Sequence, residues 1–168
     1  MNLIRLILAS IGVIFFQWAF LQGLPLIPYG NPYVYIWVLL ILPPQINRQR
    51  QLILAFLLGS LMDSFEQSGG AHTMASLALI VIKPSVEHAF LGFRKPEDDK
   101  GMASLSMGIF FLIVSVLVVW HHITLFLMEN YGFEHLDQVL IRTLFSSLIT
   151  ILLLSILHAL TSGRYAKK

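Results

Sequence analysis

A chain of 168 residues that is 57% hydrophobic and only 12% charged, with a mean hydropathy of +0.77, has too little polar surface to cover a globule in water. That argues against a free-standing water-soluble enzyme, and the absence of Cys removes disulfides, thiolate catalysis and zinc knuckles from consideration. With 11 Lys and Arg against 9 Asp and Glu the net charge is +2, and no continuous basic face exists to track phosphates, so no nucleic-acid partner is expected.

Apolar runs broken by turn residues predict an all-α integral membrane protein, a compact bundle of six transmembrane helices forming one domain over 1–168. The first span covers about residues 3–22. One Arg precedes its apolar stretch, as in a signal peptide, but Phe20-Leu21-Gln22-Gly23-Leu24-Pro25 lacks a small-residue cleavage pattern, so the span is expected to stay attached. The second and third spans, about 33–46 and 52–64, are short and are separated by Pro43, Pro44 and the basic Arg48-Gln49-Arg50. The fourth, fifth and sixth, about 73–92, 102–128 and 138–160, are each long enough to cross about 30 Å of hydrocarbon.

The charges set the direction. With six crossings and both termini cytoplasmic, the inner segments hold Arg5, Arg48, Arg50, Arg94, Lys95, Lys100, Arg164, Lys167 and Lys168, while the outer segments hold acidic residues and no Lys or Arg. Trp18, Tyr29, Tyr33, Tyr35 and Trp37 are expected at the outer headgroup layer. Reading 33–64 as a surface loop would instead put Arg48 and Arg50 outside, so six crossings fit better than four.

Ionisable groups at membrane depth are costly and draw attention to a few positions. Gly59 and Asp63 lie four apart, which places the carboxylate one helical turn beyond a residue that admits close backbone approach. Gly69-Gly70 then permits a tight return toward His72. Asp63 reads either as a helix end reaching the headgroups, as part of a structural or contact motif, or as an ion or proton site. Lys83 and Glu87 can pair at i, i+4, and Pro84 between them frees a backbone carbonyl that Lys83 or a neighbouring helix could satisfy. Lys83 could equally snorkel to the cytoplasmic surface. Arg142 is expected to pair with Asp137 or Glu134. His121-His122 with Glu129, His135 and Asp137 match no familiar metal spacing, and neither a metal nor a cofactor is expected. No G-x-S-x-G elbow, H-E-x-x-H helix or Walker loop is present, so catalysis is not expected.

The run Gly59-Ser60-Leu61-Met62-Asp63, then Gly70-Ala71-His72, then an apolar span ending in Lys83-Pro84, resembles the central motif of the rod shape-determining protein MreD family. Length, six-span layout and minimal loops extend the resemblance over nearly the whole chain; Lys83 stands where Arg is expected in the closest relatives. The resemblance implies a fold similar to the substrate-binding subunits of energy-coupling-factor vitamin transporters. It also implies a non-enzymatic scaffold in the bacterial cytoplasmic (inner) membrane. The implied partner is an MreC-like bitopic membrane protein, with indirect links to MreB-like filaments and to the elongation glycosyltransferase and transpeptidase. Gly59, Asp63, Gly70 and His72 would then shape the junction between the third and fourth helices. Lateral packing through small residues is the expected mode of association, with Gly59, Ser60, Ser104, Ser106, Gly108, Ser146 and Ser147 as candidate close-contact positions. The alternative is a vitamin-type transporter subunit, motivated by Asp63, Lys83 and Glu87; against it, Ala9 is followed four residues later by Val13, not by a second Ala.

Overall fold

The computed structural model describes residues 3–21, 29–42, 45–92 and 101–162. Arg94, Lys95, Lys100, Arg164, Lys167 and Lys168 lie outside them, as does the side chain of Arg5. Among the described residues the chain is helical, with α1 (Leu3–Phe16, running on as a π-helical turn, Gln17–Leu21), α2 (Ile36–Leu40), α3 (Arg48–Glu66), α4 (Ala71–Leu91), a 3-10 turn (Gly101–Ser104), α5 (Met107–Glu129) and α6 (Leu136–Ser162). The helices α4, α5 and α6 are long and apolar enough to cross a membrane.

Sequential helices pack as neighbours: α3 on α4, α4 on α5, and α5 on α6. For α3 and α4 the connection enforces this, because it has four residues, Gln67 to Gly70, and leaves no slack for any other partner. Asn47 starts α3 by accepting the Arg50 N–H on its side chain at 2.9 Å, and Gln67 ends it in the left-handed conformation at φ 53°. Gly70, at φ 99°, supplies a backbone turn that a residue with a Cβ would adopt only under strain, and α4 begins at the next residue.

The expected second span, 33–46, contains only the five-residue α2. Tyr33 to Leu42 are all buried, so the segment lies inside the bundle, flanked by non-helical backbone at 31–35 and 41–42. A run of ten apolar residues fits a short span and a fully enclosed segment equally well by hydropathy. Here the run is too short to cross as a helix, and the surrounding helices cover it on every side. Tyr33, Tyr35 and Trp37 are accordingly 1%, 0% and 5% exposed, in the core and not at a headgroup boundary, whereas Trp18 and Tyr29 are exposed.

A non-helical segment in an apolar interior is stable only if its backbone groups find partners. Side chains from three helices supply them. Gln17 of α1 donates Nε2–H to the Pro32 carbonyl (2.8 Å) and accepts the Val34 N–H on Oε1 (2.7 Å). Two α6 hydroxyls one turn apart, Ser146 Oγ and Thr150 Oγ1, accept the Asn31 N–H (3.1 Å) and the Tyr33 N–H (3.0 Å). Lys83 of α4 donates to the carbonyls of Leu39 (3.1 Å), Leu40 (2.8 Å) and Leu42 (3.4 Å).

Candidate functional site

The positions singled out by the sequence divide between the start of α4 and its middle, about 16 Å apart at 1.5 Å per residue between His72 and Lys83. Gly59, Asp63, Gly70 and His72 meet at the α3–α4 junction. Gly59 is where the helices touch: a Cβ built there would stand 2.5 Å from the Thr73 Cα and 2.8 Å from the His72 carbonyl oxygen. Only hydrogen fits, and Ser60 Oγ lies 3.2 Å from Thr73 Oγ1 beside it.

Asp63 is committed inside the protein. Its Oδ1 accepts the Ser68 hydroxyl (2.5 Å) and the His72 N–H (2.8 Å), while Oδ2 accepts the Thr73 N–H (3.0 Å) and the Thr73 hydroxyl (2.5 Å). The His72 and Thr73 N–H groups belong to the first turn of α4, whose amides have no intrahelical acceptor. The last turn of α3 thus provides the cap of α4, and a carboxylate at that end also complements the helix dipole.

Three turns along α4, Lys83 turns inward to α2 and does not snorkel; Glu87 stands 3.8 Å from its ammonium. Pro84 has no N–H for the Ile80 carbonyl. Arg48 of α3 donates Nη2–H to the adjacent Val81 carbonyl at 2.9 Å, so a neighbouring helix serves the weakened stretch.

Between these two places, a polar cluster that the sequence reading did not assemble centres on Tyr35. Its hydroxyl lies 3.1 Å from His72 Nδ1, 2.8 Å from His121 Nε2 and 3.5 Å from Ser76 Oγ. His72 Nε2 lies 3.3 Å from Glu66 Oε2, and the Tyr33 hydroxyl donates to the same carboxylate oxygen at 3.5 Å. His72, Ser76, His121 and Tyr35 are fully buried. The rings pack edge to face, Tyr33 on His72 at 5.2 Å and Tyr35 on His121 at 5.7 Å between centroids.

The remaining histidines sort separately. His122 Nδ1 donates to the Val118 carbonyl (2.9 Å), with Ser147 Oγ at 3.1 Å, and His158 Nε2 donates to the Leu105 carbonyl (3.0 Å) while its ring stacks on Phe110 at 3.8 Å. Among the described residues no group of three His, Cys, Asp or Glu side chains is placed to hold a metal. Arg142 pairs with Glu129 at 2.6 Å and lies over the Phe126 ring, not with Asp137 or Glu134.

Of the small residues considered for close packing, Gly59 makes a close helix contact and Gly108 faces open space. Ser146 and Ser147 serve as hydrogen-bonding groups. Gln17 and Thr150 were legible only as lone polar residues in apolar helices, a signal that marks interior-facing positions without naming their partners.

Comparison of the chain with family models, with curated proteins and with solved structures gave no match.

Proposed function

We propose that the chain is a non-enzymatic scaffold of the bacterial cell-wall elongation machinery, held in the inner membrane with both termini in the cytoplasm, the enclosed 31–42 segment making its passage as a broken helix inside the bundle, and packing laterally against an MreC-like bitopic protein. The reading rests on the MreD-like run Gly59 to Pro84. One structural observation supports it over a carrier: two of the three ionisable groups that motivate a transporter subunit, Asp63 and Lys83, are occupied within the fold. Asp63 takes four hydrogen bonds from Ser68, His72 and Thr73, and Lys83 is consumed by three carbonyls of the segment it anchors. Groups so committed position helices and do not coordinate a travelling solute.

The surface offered to a partner is lipid-facing helix. On α6, Leu140, Leu144, Leu148 and Leu152 recur every fourth residue and are exposed, a continuous apolar row against which a single membrane-spanning helix can lie. Lipid gives no hydrophobic push between helices, so such contacts depend on shape and are readily exchanged.

Depletion in a rod-shaped host tests the reading: cells should round up, and an MreC-like protein should co-purify from native membranes. Normal rods with intact wall insertion would overturn it, and a vitamin-sized ligand retained at stoichiometric occupancy would favour the transporter subunit instead.

A further inference from the structure

The Tyr35 cluster has a direction that follows from donor and acceptor inventory alone. Glu66, as a carboxylate, only accepts, so His72 donates to it through Nε2–H and keeps Nδ1 as an acceptor. Tyr35 has one hydroxyl hydrogen, and it satisfies His72 Nδ1. His121 must then donate Nε2–H to the Tyr35 oxygen, which leaves His121 Nδ1 as a bare lone pair. That nitrogen has no hydrogen-bond partner and belongs to a fully buried side chain. A buried acceptor left unmade is costly and calls for an explanation.

We infer that Glu66, His72, Tyr35 and His121 form a proton relay, with His121 Nδ1 as the accepting end in the bundle interior and the His72–Glu66 pair as the end at the α3–α4 turn. The inference is independent of the scaffold reading. When a proton binds His121 Nδ1, the Nε2–H proton of His121 passes to the Tyr35 oxygen, and the Tyr35 hydroxyl proton passes to His72 Nδ1. His121 and Tyr35 each lose one proton and gain one, so both stay neutral. The added charge resides on His72 as an imidazolium beside the Glu66 carboxylate. No other reactant is needed. Loading therefore has a signature that an isolated histidine lacks: His121 remains uncharged but changes tautomer, from Nε2–H to Nδ1–H.

The surrounding charged and titratable groups are otherwise engaged. On α3, Asp63 is held by Ser68, His72 and Thr73. In the 29–42 segment, Tyr33 donates to Glu66. On α5, His122 is tied through Nδ1 to Val118, and Glu129 is paired with Arg142 of α6. His122 Nε2 is a second buried nitrogen without a partner, on a ring 5.4 Å from that of His121 between centroids.

The test is ring-15N histidine spectroscopy of the full chain in phosphatidylethanolamine and phosphatidylglycerol vesicles, with His72 and His121 assigned by loss of signal in His72→Gln and His121→Gln. In the resting state both rings should be neutral Nε2–H tautomers. On acidification, the switch of His121 to the Nδ1–H tautomer and the appearance of the His72 imidazolium should share one midpoint. In Tyr35→Phe the His121 switch should be lost. Glu66→Gln, at the partly exposed rim, keeps the inference falsifiable if the Tyr35 variant fails to assemble: without the counter-ion the loaded state should lose population, with the His121 tautomer following the His72 charge in step. The relay is overturned if His121 holds one tautomer while His72 charges, if neither ring changes, if Tyr35→Phe leaves the coupling intact, or if Glu66→Gln leaves the loaded state unchanged.

Discussion

The Lys83 ammonium sits 2.8 Å from the Leu40 carbonyl, at the end of a five-residue helix that has no membrane-crossing length of its own. Through this bond and its neighbours at Leu39 and Leu42, one cation of α4 closes the C-terminal end of a buried segment. Lys83→Met keeps the volume and removes the donor, leaving three carbonyls without it. Each unsatisfied buried group costs about 1–3 kcal/mol, so the variant should unfold at clearly lower denaturant in mixed micelles, by at least about 2 kcal/mol. Lys83→Arg should recover part of the loss. Equal stability of Lys83→Met and the parent chain would show that the contacts are not made in the bilayer.

At Gly59, the absent side chain is the point. Gly59→Ala drives a methyl group into the Thr73 backbone, and overpacking of this kind costs about 1–3 kcal/mol. Gly59→Val should be worse. Gly108→Ala, where the new atom meets nothing within 4 Å, is the matched control and should stay within about 0.5 kcal/mol of the parent.

Asp63→Ala removes the cap of α4 and should cost about 1–2 kcal/mol, with Asp63→Asn between the two because an amide oxygen still accepts one N–H. Hydrogen exchange at His72 and Thr73 reads this directly: both amides should lose protection while mid-α4 amides keep theirs. If the scaffold reading is right, pull-down of the MreC-like partner falls in Asp63→Ala with membrane insertion unchanged.

Gln17→Leu tests the other end of the enclosed segment. It strands the Pro32 carbonyl and the Val34 N–H together, at a cost of about 1–3 kcal/mol for each group, while improving the apolar character of α1. An insertion assay should therefore show α1 entering the membrane as well as before or better, and a folding assay should show the assembled bundle weakened. Opposite signs in the two measurements are the expected outcome.

The long helices α4, α5 and α6 were legible because uninterrupted apolar runs of this length have few other uses. Gly59, Asp63 and Lys83 stood out because a glycine four residues before a carboxylate, or a lone ammonium in a hydrophobic run, is expensive without a reason. What each one touches was not legible. Lys83 could as well have snorkelled, and its actual partners are backbone carbonyls more than forty positions earlier, which carry no sequence signal. The Tyr35 cluster escaped for a related cause: aromatic residues near Pro32 read as headgroup anchors, and nothing local tells a Tyr that meets water from one that meets two imidazoles. Arg142 found Glu129 where Asp137 and Glu134 lay closer in sequence, because α5 and α6 pack side by side.

Ser146 and Thr150 close hydrogen bonds to residues 115 and 117 positions upstream. During synthesis the polypeptide from Asn31 to Leu42 therefore leaves the ribosome long before its final partners exist. The Asn31 and Tyr33 amides must wait in a hydrated or chaperoned setting until α6 arrives, so a helix made late completes a segment made early. A nascent chain arrested before Ser146 should remain open to protease and to insertase, and the arrival of α6 should be the event that seals it.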